Sequence, residues 1–147
     1  MSKVFHFDIA PQPAVRMNNS DKWRKRPEVL RYLSFKEEIN WRAKSMRCEI
    51  PRTFKGIIQL EFFIPMPKSW SKKKRERMNL SFHQQVPDKD NLEKAFLDAI
   101  CTNDAHIARS YSEKFWTEKK GDIILILWRD WDEFSRQTPT LRWARKI

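Results

Sequence analysis

The chain has 147 residues, 40% of them hydrophobic, with 7 Trp and 10 Phe, which suits one domain with a real core and excludes an aromatic-poor disordered tail. Its 30 Lys and Arg against 19 Asp and Glu give a net charge of +11, a surface that attracts polyanions, nucleic acid or an anionic membrane first among them. No apolar run approaches the ~20 residues that span a bilayer.

The N-terminus, MSKVFHFDIAPQP, carries charges inside its apolar part and is not read as a secretory signal. Within it Phe5, Phe7 and Ile9 alternate with His6 and Asp8, the period of a half-buried strand, and Pro11 and Pro13 close it. A basic loop, RMNNSDKWRKRP, follows. Lys22, Arg24, Lys25 and Arg26 surround Trp23 there, an aromatic placed to stack on an exposed base, to wedge at a DNA branch point, or simply to pack on the next helix. Pro27 fits the first turn of a helix running to about Arg47, with Phe35, Ile39, Ala43 and Met46 as its buried stripe.

GIIQLEFFIP reads as the second strand. Ile58, Leu60, Phe62 and Ile64 share one face, Ile57 and Phe63 make the other partly apolar, and Pro65 and Pro67 end it. The connection from Lys68 to Gln85 is basic, with a short helix expected near Lys72 to Met78. It holds Lys68, Lys72, Lys73, Lys74, Arg75 and Arg77, either a track for a DNA backbone or a solvated charged face. A second long helix is expected from about Asn91, with Leu92, Ala95, Phe96, Ala99 and Ile100 facing the core. HIARSYSEKFW and DIILILW read as two strands joined around EKKGD, where Gly121 supplies the turn. The continuous apolar run Ile123 to Leu127 predicts a central strand buried on both faces. The expected fold is α/β (α+β): one small sheet of about four strands with two principal helices in a single domain over 1–130. A basic, Trp-rich tail over 131–147 follows. In that tail Arg136, Arg142, Arg145 and Lys146 surround Trp143, as a DNA-binding arm, a dimer element or a frayed end. Cys48 and Cys101, without a CxxC, argue against a zinc site or a disulfide framework and suit a reducing cytosol. Two glycines exclude a glycine-rich phosphate loop.

Against this basic background PDKDNLEKAFLDAICTNDAHI gathers Asp88, Asp90, Asp98 and Asp104. At 100° per residue Asp90, Lys94 and Asp98 share the polar side of the helix. Asp88 and Asp90, two apart in the extended approach, point the same way. If the strand after Asp104 runs beside the helix start, three carboxylates converge. Converged carboxylates repel, and either take up protons or hold a cation. Aspartates suit a hard divalent ion such as Mg²⁺, which activates a water against a phosphodiester, and Lys94 would neutralise charge on the phosphate. The same residues also read structurally. Asp90 with Glu93 makes a capping box, Asp90–Lys94 and Lys94–Asp98 make i,i+4 ion pairs, and Asn103–Asp104 makes a turn. His83 and His106 are conceivable general bases, though a lone histidine is more often a hydrogen-bonding or surface residue. Trp70 and Trp116 are candidates for an interface.

PMPKSWSKKKRERM, His83, PDKDNLEKAFLDAI, NDAHIA and the EK ending at Lys114 resemble the RusA family of Holliday junction resolvases, especially its phage and prophage members. The resemblance covers about residues 60 to 127 and, more loosely, the first strand and helix. It implies a RusA-like fold and a homodimeric endonuclease that nicks four-way DNA junctions symmetrically, using Mg²⁺ (Mn²⁺ substituting) and no organic cofactor. It implies a cytoplasmic setting in a bacterial or phage-infected cell, away from membranes. Asp88, Asp90 and Asp104 match the family's metal ligands, and Lys94 matches its catalytic lysine. The expected DNA contacts are Lys72, Lys73, Lys74, Arg75, Arg77, Lys25, Arg26 and Lys114. The chain departs from the pattern in having Val86 where members often carry lysine, and Asn103-Asp104 where many have two aspartates. Its connection from the helix to Asp104 is also short. The competing expectations are a non-catalytic, architectural branched-DNA-binding protein, and a nonspecific nuclease or RNase with the same metal chemistry.

Overall fold

The computed structural model describes residues 2–101 and 104–136. Strand β1 covers Lys3–Phe7, helix α1 Pro27–Ser45 and strand β2 Ile57–Pro65. The short helix α2 spans Lys72–Met78 and helix α3 Lys89–Ile100. Strands β3 and β4 cover Ser110–Thr117 and Asp122–Trp128. Two 3₁₀ turns, Asn19–Lys22 and Asp104–His106, lie in the connections. No helix among the described residues is long and apolar enough to cross a membrane.

The four strands form one mixed sheet in the order β1-β4-β2-β3. Strand β4 is antiparallel to both β1 and β2, while β2 and β3 are parallel. Every residue of β4 is buried, as its unbroken apolar run requires. The strands joined around Gly121 are therefore not neighbours, because β2 lies between them. Gly121 has φ 102°, and a side chain there would stand 3.0 Å from the Phe63 carbonyl, so the crossing needs glycine.

Alternation along β2 builds two cores. Ile58, Leu60 and Phe62 meet α1 and α3 through Phe35, Ile39, Leu92 and Phe96, and Phe7 sets its ring edge-on to Phe96 at 5.1 Å. On the other face Ile57 and Phe63 join Phe115, Ile124, Ile126 and Trp128. Phe134, from a helical stretch at 131–136, is buried there too, so the start of the expected tail packs against the sheet.

Helix α1 stops at Ser45, two residues before the expected end. Arg47 takes φ 55°, and the amides of Arg47 and Cys48 return to the Lys44 and Ala43 carbonyls at 3.1 and 2.8 Å. This is a Schellman stop with arginine in the place glycine usually fills. Met46 caps the helix, half-buried. The basic connection is more ordered than its composition suggests. After α2, Leu80 and His83 donate to the Trp116 and Lys114 carbonyls at 2.9 and 3.0 Å, and the Trp116 amide donates to Ser81 at 2.9 Å. Residues 80–83 thereby cover part of the outer edge of β3.

Candidate active site

The acidic motif is positioned by a lysine. Lys114 sits opposite Phe62 in the β2–β3 register, on the sheet face that carries the helices. Its ammonium donates to the carbonyls of Gln85 and Pro87, both at 2.7 Å. Burial pulls its pKa down, against the upward pull of the nearby Asp88 carboxylate. With the approach to α3 tethered this way, the helix begins at Lys89, earlier than the capping-box pattern predicts. Asp88 is the N-cap and makes no side-chain capping bond, and Asp90 lies in the first turn. The expected capping box of Asp90 and Glu93 does not form, because the start of α3 is set by the tether from β3 rather than by a local side-chain cap. Asp88 and Asp90 are both exposed at the positive end of the helix, which favours carboxylates. Across the turn the Ala14 amide donates to the Asn91 carbonyl at 3.1 Å.

The other members of the motif follow along α3, Lys94 at its middle and Asp98 and Asp104 toward and past its far end. Lys94 pairs with Asp98 at 3.2 Å, and Asp98 also accepts from the Tyr32 hydroxyl at 3.3 Å. Burial, then the Asp98 charge, lifts that phenol to about 12. Asp104 opens the 3₁₀ turn after α3, its carbonyl accepting from Ile107 at 2.9 Å. Its charge is felt by Cys101 at the helix end, where burial first, then Asp104 and Asp98, push the thiol pKa up. The twelve residues of α3 span about 18 Å. Strand β3 does run back toward the helix start, but the residue it delivers there is Lys114. Among the described residues no group of three or more His, Cys, Asp or Glu stands close enough to hold a metal ion.

The donor chemistry at the helix start nonetheless fits a hard divalent ion. Mg²⁺ commonly takes one or two carboxylates, with waters and substrate phosphate completing its shell. Asp88 and Asp90 supply two oxygen donors of that type, and the Asp88 side chain is not spent on capping.

The candidate DNA cations divide into free and engaged. On α2, Lys72, Lys73 and Arg77 are exposed. Lys74 lies over the Trp70 ring at 4.1 Å, and Arg75 donates to the Pro67 and Glu118 carbonyls at 3.1 and 3.4 Å. Trp70 and Trp116 pack on each other at 4.7 Å, with Trp116 buried, so this pair seats α2 within the subunit. His83 is buried against Trp116, and His106 lies in the 3₁₀ turn of Asp104. In the first loop Lys25 is exposed, whereas Arg26 grips both oxygens of Asp21 at 3.1 and 2.9 Å. Asn103, Arg142, Trp143, Arg145 and Lys146 lie outside the described residues. The tethering role of Lys114 was not read from the sequence. Its signal was there: a lysine on the core-facing side of a strand must find oxygen partners for its half-buried ammonium.

A basic α+β domain with exposed aspartates at one helix start and a second helix rich in exposed cations has the layout of a nucleic-acid-processing enzyme. Residues 8–126 match the family model described as Endodeoxyribonuclease RusA, and the chain belongs to this family of endonucleases that resolve Holliday junctions. No curated protein matches the chain.

Proposed function

We propose that the chain is a Mg²⁺-dependent, structure-selective endonuclease that resolves four-way DNA junctions by paired, symmetric phosphodiester hydrolysis as a homodimer. Mn²⁺ would substitute for Mg²⁺, and the setting is the cytoplasm of a bacterial or phage-infected cell. The observation that carries the reading is the start of α3, where the Lys114 tether presents Asp88 and Asp90 to solvent in a chain of net charge +11.

Asp88 and Asp90 would hold the ion. When bound, it contributes Lewis acidity toward the scissile phosphate and lowers the pKa of the attacking water. The Lys94 side chain is 61% exposed and its pair with Asp98 is of the i,i+4 kind, worth only about 0.3–0.5 kcal/mol. Its ammonium therefore moves to a substrate phosphate at little cost. Lys72, Lys73 and Arg77 take the DNA backbone. Asp104 would join the same centre through a second copy. The length of α3 separates it from Asp88 and Asp90 within one chain, and a two-fold partner that lays its α3 exit against this α3 start supplies it twice, once per site. Two sites related by a dyad suit two cuts in a branched substrate of matching symmetry.

Synthetic four-way junctions, linear duplex and an RNA hairpin, each incubated with Mg²⁺, test the reading. Wild type is expected to make paired nicks in the junction alone. Asp90→Asn is expected to abolish cutting while junction binding stays within about twofold, because a carboxylate that serves the chemical step contributes little to holding the phosphate backbone. Cutting at the wild-type rate by Asp90→Asn refutes the site. The non-catalytic, architectural reading predicts junction binding by a folded dimer without Mg²⁺-dependent cleavage, and that outcome would favour it.

A further inference from the structure

The segment between β1 and α1 is a closed loop built around a buried charge. Its near end is stitched to the first turn of α3 by the bond from the Ala14 amide to the Asn91 carbonyl, 3.1 Å. Its far end folds back through Arg26, whose Nη2 donates to the Arg16 carbonyl at 3.0 Å. Between them Asp21 is 2% exposed. It receives Arg26 Nε and Nη2 at 3.1 and 2.9 Å and the Asn18 amide at 2.8 Å. The Asn18 side chain in turn accepts from the Ser20 and Asp21 amides, completing a capping box over the 3₁₀ turn. The Arg26 hydrogen bonds, with that of the Asn18 amide, hold the Asp21 carboxyl at about 2, so the network stays charged and closed at neutral pH.

This rigid turn presents Trp23. Its residue surface is 90% exposed, the highest value among the exposed large hydrophobic residues described. Lys22, Arg24 and Lys25 around it are exposed as well. The bland expectation, an indole packed on α1, is excluded by that exposure. An indole held in water among three cations matches a ligand that is flat, aromatic and polyanionic.

We propose that Trp23 reads the branch point, its indole stacking on a base whose own stack is interrupted where DNA strands exchange, while Lys22, Arg24 and Lys25 hold the adjoining phosphates. The proposal rests on the branched-DNA reading above. Stacking on an aromatic side chain needs a free base face and tolerates any sequence. Bases within a continuous duplex offer no such face, so Trp23 contributes to junctions and not to linear DNA. The loop's near end is tied to the first turn of α3 by the Ala14–Asn91 bond, so a base held by Trp23 helps to fix the junction relative to the helix that carries Asp88 and Asp90.

Binding titrations without divalent ion, on a four-way junction and on a linear duplex of equal arm sequence, test this. Trp23→Ala is expected to weaken junction binding about tenfold, the weight of one stacked base, and to leave duplex binding within about twofold. Trp23→Phe should keep most of the junction preference. Replacing Lys22 and Lys25 by alanine should weaken both substrates alike, as phosphate contacts do. The proposal is overturned if Trp23→Ala loses the same factor on both substrates, or nothing on either. It is also overturned if sedimentation shows that Trp23→Ala converts dimer to monomer, which would make Trp23 a subunit contact. A wild type without junction preference would sink the branched-DNA reading itself, and this proposal with it.

Discussion

His83 carries its imidazole against Trp116 with ring centroids 4.1 Å apart, and its Nδ1 is buried without a hydrogen-bond partner among the described residues. Burial first, then the neighbouring Lys114 ammonium, push its pKa below the ordinary 6.5. The unfolded chain therefore accepts a proton at this position before the folded one does. Stability tied to His83 is intact above about pH 6.5 and drains as the pH falls below it. His83→Phe retains a ring on Trp116 and removes the titration. Its melting temperature is expected to keep a constant offset from wild type above about pH 6.5 and to gain on wild type as the pH falls from there to about 5, and an offset independent of pH throughout would show that position 83 titrates alike in both states. Asp21 works in a separate window. Its carboxyl is depressed to about 2, so its contribution is complete above about pH 4 and is lost as the pH falls through the folded value.

Helix α2 concentrates the question of what a run of cations does. Arg75 and Lys74 spend their charged groups on holding the helix to the Pro67 and Glu118 carbonyls and to Trp70. Lys72, Lys73 and Arg77 remain outward. Changing these three to alanine is expected to reduce the slope of log K against log salt for junction binding by about 3, close to one unit per released phosphate contact. An unchanged slope would leave α2 a solvated face. The position of this helix, Lys72 to Met78, was legible from the sequence, as were the two faces of β2 and the double burial of β4, because periodicity reports burial directly. The start of α3 was not. The local DNLE pattern favours Asp90 as the cap, but the two carbonyls held by Lys114 from across the sheet fix the approach at Gln85 and Pro87, and no local pattern encodes that distance in sequence. For the same reason the sequence distinguished the cations by type but not by duty. Arg26 and Arg75 look like Lys72 in composition and are committed to carbonyls and carboxylates of their own chain.

Over the whole molecule, the acidic motif is split between the two ends of one helix. Asp88 and Asp90 stand at its start, and Asp104 sits past its end beside Cys101. Read as a linear string, the motif invited convergence within a single chain, whereas the fold sends Lys114 and not Asp104 back to the start of α3. If each centre joins Asp88 and Asp90 of one copy to Asp104 of the other, two inactive variants should rescue each other. In a mixture of Asp90→Asn and Asp104→Asn chains, about half of the randomly assorted two-fold dimers are heterodimers. In each of these, one centre carries both substitutions and the other carries neither. Such a mixture is expected to nick a four-way junction on one strand, with Mg²⁺ present, while each variant alone is silent. Paired cuts should not return, because only one centre per dimer is whole. If every centre were built within its own chain, the heterodimer would hold one damaged site of each kind, and mixing the variants after subunit exchange would restore no nicking at all.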